Sequence, residues 1–113
     1  MIFIAHRGNI NGIKSNYENG QKYCQEAIDN GYHVEIDVHW YEGIFWTGHD
    51  RPQYRVNTDF LKKKEVWCHA KDIQVLYQLQ EIEAHCFLDY NNCAGICSDY
   101  IAKEKESWTF KNY

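Results

Sequence analysis

Short apolar runs in this 113-residue chain are repeatedly followed by histidine, arginine and acidic residues, the types that catalyse reactions and bind ligands. Residues 2–5 are continuously apolar and lead into His6-Arg7-Gly8, and residues 44–47 lead into Gly48-His49-Asp50. Between them, residues 32–38 alternate, with Glu35 and Asp37 on the face opposite the valines and isoleucine. Runs of this length are typical of strands. The pattern therefore places imidazoles, a guanidinium and carboxylates at strand ends, on one face of a sheet.

The segments between these runs predict helices, and the whole pattern predicts an α/β fold. Ser15 and Glu18 form a capping box that predicts a helix to about Asn30, and Asp72 is a predicted cap for a second helix. Further strands are expected at residues 66–68, 86–88 and 107–110, with a weaker one at 100–102 and a loop over 51–64. We expect one domain, 1–113, with a mostly parallel sheet of about six strands and two main helices.

Charge and composition exclude several classes of function. The net charge of −4 argues against a nucleic-acid or membrane-surface binder, which usually carries a basic face. No segment approaches the ~20 apolar residues of a membrane span, so we expect no membrane insertion. Residues 1–5 are too short for a signal peptide, and the five cysteines are odd in number, which favours reduced thiols. These features predict a cytoplasmic protein.

Glu35 and Asp37 are candidate ligands for a divalent cation. Residues two apart on a strand project from the same face, within reach of one hard cation, which also relieves their mutual repulsion. The alternative is the solvated face of an antiparallel strand, which the turn at Gly43 permits. Histidine transfers protons near neutral pH, and Arg7 offers a planar fork that matches phosphate oxygens.

In order and context, these motifs resemble the glycerophosphodiester phosphodiesterase family, which has a TIM-barrel fold. The resemblance rests on residues 4–8, Glu18-Asn19, residues 35–38 and Gly48-His49-Asp50, and continues with Lys71, two residues after His69, and with Trp108-Thr109. It is dense over residues 4–50 and thin afterwards.

The resemblance implies a metal-dependent phosphodiester hydrolase acting on a small phosphodiester, with a place in lipid metabolism. Glu35 and Asp37 would hold the metal, with Mg²⁺ or Ca²⁺ preferred, and His6 and His49 would be the catalytic acid–base pair. Arg7 and Lys71 would bind the phosphate. A neighbouring substrate hydroxyl would attack phosphorus first, giving a cyclic phosphate that water then opens.

Two departures from the family pattern change these expectations. His69 stands where the family has a third metal-binding carboxylate, so His69 becomes the third candidate ligand and Mn²⁺ or Zn²⁺ enters consideration. A full barrel takes roughly 250 residues, so the chain predicts a reduced or partial TIM-barrel-like sheet. Exposed edges of such a sheet make a homo-oligomer possible. The alternative function is a non-catalytic phosphate- or metal-binding module derived from that fold.

Overall fold

The computed structural model describes residues 1–88 and 95–112, in which strands and helices alternate along the chain. The strands are β1 (Ile2–His6), β2 (His33–Tyr41), β3 (Ile44–Thr47), β4 (Tyr54–Arg55), β5 (Val66–Ala70), β6 (Cys86–Phe87) and β7 (Gly95–Ser98). The helices are α1 (Gln21–Asp29), α2 (Thr58–Leu61), α3 (Ile73–Glu81) and α4 (Ile101–Asn112). The described residues thus contain seven strands and four helices, where about six and two were predicted.

All seven strands belong to one open, mixed sheet. β1 pairs in parallel with β2 and β7, and β5 pairs in parallel with β2 and β6. The hairpin of β2 and β3, extended by β4, is antiparallel. The predicted α/β class is confirmed, but the sheet is not closed into a barrel, and its strands are not all parallel.

β2 lies at the centre of the sheet and is buried on both faces. Val34, Ile36 and Val38 are fully buried, and helices α1 and α3 pack against this strand. The apolar core also includes Cys24 of α1 and Leu79 of α3. Burial of apolar residues at alternate positions fixes the register of β2, so that Glu35 and Asp37 must point to the other face.

The first helix begins later than the capping box predicted. α1 starts at Gln21 behind Gly20, and no side chain caps its amides. Asn19 has a φ of +69°, a left-handed conformation that interrupts a right-handed helix. Glu18 instead bonds Arg7 and Asn9, so the residues read as a cap belong to the loop after β1.

The C-terminal segment is helical where strands were predicted. Residues 100–102 and 107–110 were expected to be extended, but α4 runs from Ile101 to Asn112 and includes Trp108. The intervening Lys103-Glu104-Lys105-Glu106 consists of strong helix formers, which outweigh the short apolar pattern. The predicted loop over 51–64 likewise contains β4 and α2.

The prediction of a cap at Asp72 is confirmed, because its carboxylate accepts a hydrogen bond of 2.9 Å from the amide of Val75. Within the described residues, no helix has both the length and the apolar character needed to cross a membrane.

Candidate metal centre

The pairing of β2 with β5 brings the predicted ligands together. Asp37 lies opposite His69 in the parallel register, and Glu35 is on the same face of β2. Glu35, Asp37 and His69 each place a ligand atom within 4.8 Å of the other two. The residues Glu35 and Asp37 are 1% and 2% exposed, so they are not the solvated face of an antiparallel strand.

The Asp37 carboxylate contacts several polar side chains. Its Oδ1 is 3.0 Å from His69 Nδ1 and 3.8 Å from Lys71 Nζ. Its Oδ2 accepts hydrogen bonds of 3.1 Å from both Arg7 Nε and Asn19 Nδ2. Burial alone would raise the pKa of Asp37, but these hydrogen bonds and cations outweigh it and lower the pKa to about 2.

The orientation of His69 fits a metal ligand. Its Nε2 lies 3.0 Å from the carbonyl oxygen of Leu88 and can donate a hydrogen bond to it. Nδ1 faces the two carboxylates, 3.0 Å from Asp37 Oδ1 and 3.7 Å from Glu35 Oε1, so a cation held by all three residues would lie on this side of the ring. The ring also stacks on Phe87 at a centroid distance of 5.2 Å. A carbonyl that holds the second ring nitrogen is the usual arrangement around metal-bound histidine.

The three donors also fit a cation in spacing and chemistry. Ligand oxygens lie about 2.3–2.6 Å from Ca²⁺, so two ligands on opposite sides are about 5 Å apart, close to the 4.8 Å limit of this cluster. Two carboxylates and one imidazole are accepted by Mg²⁺, Mn²⁺ and Zn²⁺ as well. The buried Glu35 and Asp37 and the partly buried His69 can therefore hold a divalent metal ion.

His6 borders the metal centre at the end of β1. It lies opposite Glu35 in the parallel register, with its Nε2 3.3 Å from Glu35 Oε2. On the other side of the ring, Nδ1 is 2.9 Å from Asp99 Oδ1, just after β7. The imidazole thus lies between the metal centre and a second carboxylate.

Arg7 and Gly8 turn the chain sharply beside the cluster. Both have positive φ, +56° and +86°, and the amide of Arg7 donates to the carbonyl of Glu35 at 2.8 Å. A Cβ on Gly8 would lie 2.9 Å from Cys24 Sγ, so the turn requires glycine for space as well as conformation. The guanidinium of Arg7 bonds Asp37 and Glu18, and this places its positive charge against the metal centre.

The second predicted catalytic histidine is less closely associated with this cluster. The amide of Gly48 donates to the carbonyl of Asp37, so the backbone before His49 starts beside the cluster. The His49 side chain, however, is 48% exposed and pairs with Asp50 at 2.9 Å. Among residues 1–88 and 95–112, no ion pair joins His49 to Glu35 or Asp37.

Sequence reasoning missed several polar residues of the site. Asn9 is fully buried and bonds both Glu18 and Asp99, and Asp99 bonds His6. Asn19 entered the sequence analysis only as part of the family motif, but its side chain binds both the amide and the carboxylate of Asp37. The available signals were the position of Asn9, directly after His6-Arg7-Gly8, and that of the acidic Asp99, two residues after the apolar pair Ile96-Cys97.

Comparison of the chain with protein-family models, curated proteins and solved structures gives no match.

Proposed function

We propose that this chain is a metal-dependent phosphodiester hydrolase similar to the glycerophosphodiester phosphodiesterases. The observation that carries the proposal is the cluster of the buried Glu35 and Asp37 with the partly buried His69, and with the cations of Arg7 and Lys71 beside it. Paired carboxylates with flanking cations suit a reaction in which a bound metal and a phosphate approach each other. The motif series along the sequence supports the same function.

Each residue has a distinct part in the proposed reaction. Glu35, Asp37 and His69 hold the cation, with Mg²⁺ or Ca²⁺ preferred by the carboxylates and Mn²⁺ or Zn²⁺ by the imidazole. A bound cation supplies Lewis-acid stabilisation of charge on the phosphoryl oxygens. Arg7 and Lys71 exchange their bonds with Asp37 for bonds with phosphate.

His6 and His49 move the two protons of the reaction. One is removed from the attacking hydroxyl, and the other is donated to the leaving alkoxide. In the first step the attacking hydroxyl belongs to the substrate alcohol, and the product is a cyclic phosphate. Water then attacks the cyclic phosphate with the proton roles reversed.

The proposal includes a reduced TIM-barrel-like architecture. The parallel pairings give the order β7-β1-β2-β5-β6, and the polar residues follow the carboxyl ends of β1, β5 and β7. Active sites of TIM barrels are at that end of the strands. In this interpretation the antiparallel β3–β4 hairpin is an insertion after the second barrel strand.

A non-catalytic binding module is the second candidate, and the position of His49 favours it. Its side chain pairs with the 90% exposed Asp50 rather than with the cluster. Only one of the two proposed proton-transfer groups, His6, directly contacts the metal centre. Such a site binds a metal and a phosphate without turning over a diester.

The test is hydrolysis of bis(p-nitrophenyl) phosphate and of glycerophosphodiesters by the protein after EDTA treatment. The assays are repeated with Mg²⁺, Ca²⁺, Mn²⁺ and Zn²⁺, and calorimetry measures binding of each metal alone. Asp37→Asn and Glu35→Gln are expected to abolish metal binding and turnover together. Glu26→Gln, an equally conservative change at an exposed position of α1, is the matched control and is expected to change neither.

The outcomes separate the two candidates. EDTA-sensitive turnover that Asp37→Asn abolishes supports the hydrolase. Metal binding without turnover of any diester refutes the hydrolase and supports the binding module. The absence of both metal binding and turnover contradicts both functions.

A further inference from the structure

The contacts of His6 extend away from the metal centre to a second carboxylate. Nδ1 of His6 is 2.9 Å from Asp99 Oδ1, whereas Nε2 is 3.3 Å from Glu35 Oε2. A carboxylate can only accept, so the shorter contact assigns an N–H donor to Nδ1. A histidine whose Nδ1–H is held in this way presents its other nitrogen, Nε2, in a fixed direction.

Asp99 is itself held by a buried side chain. Asn9 is 0% exposed, and its Nδ2 donates 3.0 Å to the same Oδ1 atom that faces His6. The orientation of the Asn9 amide is determined, because its Oδ1 accepts bonds from the hydroxyl of Tyr23 and the amide of Lys14. Its Nδ2 must therefore point toward the carboxylates.

The backbone around Asp99 is also fixed. Its carbonyl accepts a hydrogen bond of 2.7 Å from the amide of Gly12, which joins the loop after β1 to the end of β7. Asp99 is thus anchored through both its side chain and its backbone, by contacts that do not involve the metal ligands. A preorganised donor and acceptor of this kind hold a catalytic ring in place without rearrangement during the reaction.

From these contacts we infer that Asp99, held by Asn9, is a positioning residue that directs Nε2 of His6 toward the metal centre. The inference rests on the proposed function, since it concerns the histidine that exchanges protons with the substrate. Asp99 touches neither the metal ligands nor the substrate in this scheme. It acts through His6 alone, so its effect on activity should require His6, whereas a purely structural role would not.

The first experiment compares Asp99→Ala with the unaltered protein in the diester assay. Loss of the acceptor leaves the ring free to rotate, so kcat is expected to fall about 10- to 100-fold with KM unchanged. In a His6→Ala background, Asp99→Ala is expected to cause no further loss, because the residue it orients is absent. Glu106→Ala, an exposed acidic position on α4, is the matched control and should leave kcat unchanged.

The second experiment detects which nitrogen of the His6 ring carries hydrogen. Long-range proton–nitrogen NMR spectra, in which the His6 signals are identified by their loss in His6→Ala, report which ring nitrogen carries hydrogen. The unaltered protein is expected to show a protonated Nδ1, and Asp99→Ala should move that hydrogen toward a mixture of the two nitrogens. Asp99→Asn keeps an oxygen acceptor in the same place, so its spectrum and kcat are expected to lie between those of the other two proteins. Asp99→Asn also serves if Asp99→Ala does not fold.

Each failure has a different meaning. If the unaltered protein hydrolyses no diester with any metal, the proposed function is refuted, and the catalytic part of Asp99 with it. If the unaltered protein is active and Asp99→Ala keeps its kcat, only the positioning role is refuted. An equal loss of kcat in the presence and absence of His6, with an unchanged His6 spectrum, assigns Asp99 to structure and also overturns the inference.

Discussion

Replacement of Asn19 by alanine should destabilise the metal-free protein severely. The Asn19 side chain accepts a 2.9 Å bond from the amide of Asp37 and donates a 3.1 Å bond to its carboxylate. Both groups are buried, so truncation leaves a backbone donor and a charged acceptor without this partner. An orphaned buried amide costs about 1–3 kcal/mol, and a hydrogen bond to a charged group contributes about 1.5–3 kcal/mol.

The backbone at Asn19 adds a third contribution. Its φ of +69° is tolerated by asparagine but costs alanine about 1–2 kcal/mol. Because such terms are not fully additive, we expect Asn19→Ala to lower the free energy of unfolding by about 3–5 kcal/mol. Asn19→Gly has no backbone strain at this φ, but glycine raises the conformational entropy of the unfolded chain, which offsets part of that advantage. The glycine variant should therefore be more stable than Asn19→Ala by about 0.5–1 kcal/mol.

Urea denaturation in EDTA, followed by tryptophan fluorescence, measures these differences. With a slope of about 1–3 kcal/mol per molar urea, the midpoint for Asn19→Ala should fall by more than about 1 M. Asn11→Ala, at an exposed position of the loop after β1, is the matched control and is expected to change the midpoint little. A loss below 1 kcal/mol for Asn19→Ala would refute the stabilising role of the two hydrogen bonds between the Asn19 side chain and Asp37. A glycine variant less stable than the alanine variant would refute the argument from backbone strain.

Three other results are expected. Burial raises the pKa of the Cys24 and Cys68 thiols, so iodoacetamide should label the less buried Cys86 and Cys97 before either of them. Labelling of Cys24 before unfolding, seen by mass spectrometry, would contradict the core packing. Gly48→Ala should lower the free energy of unfolding by at least about 2 kcal/mol, because the φ of Gly48 is +153° and a Cβ there would overlap the backbone carbonyl oxygen of Arg51. An unchanged urea midpoint for this variant would contradict the conformation of the turn at Gly48. In EDTA, the stability that Asp37 contributes through its low pKa is fully present above pH 3.8 and is lost as pH falls through about 2. The difference in unfolding free energy between the unaltered protein and Asp37→Asn should therefore be constant above pH 4 and shrink toward pH 2, and a pH-independent difference would contradict the assigned bonds.

The sequence predicted the centre of the fold because the period-two pattern and burial agree there. Residues 32–38 alternate cleanly, and β2 has the register that this pattern requires. The capping box at Ser15 failed because a local motif does not reveal that Glu18 has a stronger partner in Arg7. The predicted C-terminal strands failed because a short apolar pattern competes with the helix propensity of residues 103–106.

The candidate site was predictable where ligands share one strand or adjacent strands. Glu35 and Asp37 are two residues apart, and His69 lies on the adjacent parallel strand, so their proximity could be expected from geometry. Asp99 lies 93 residues from His6 in the chain, and periodicity carries no information on such a pairing. The side-chain direction of His49 depends on a turn whose conformation its neighbours determine, so its contact with Asp50 was not predictable.

The two-residue turn at Glu42 and Gly43 is a position at which a label or tag can be inserted. Both residues have positive φ, which suits the tight turn of a β-hairpin, and both are exposed. Asp37 lies five residues before Glu42 along an extended strand, which corresponds to about 16 Å at 3.3 Å per residue. A fluorophore or an affinity tag inserted at the hairpin tip would therefore report on the protein from a distance at which it does not disturb the buried carboxylates.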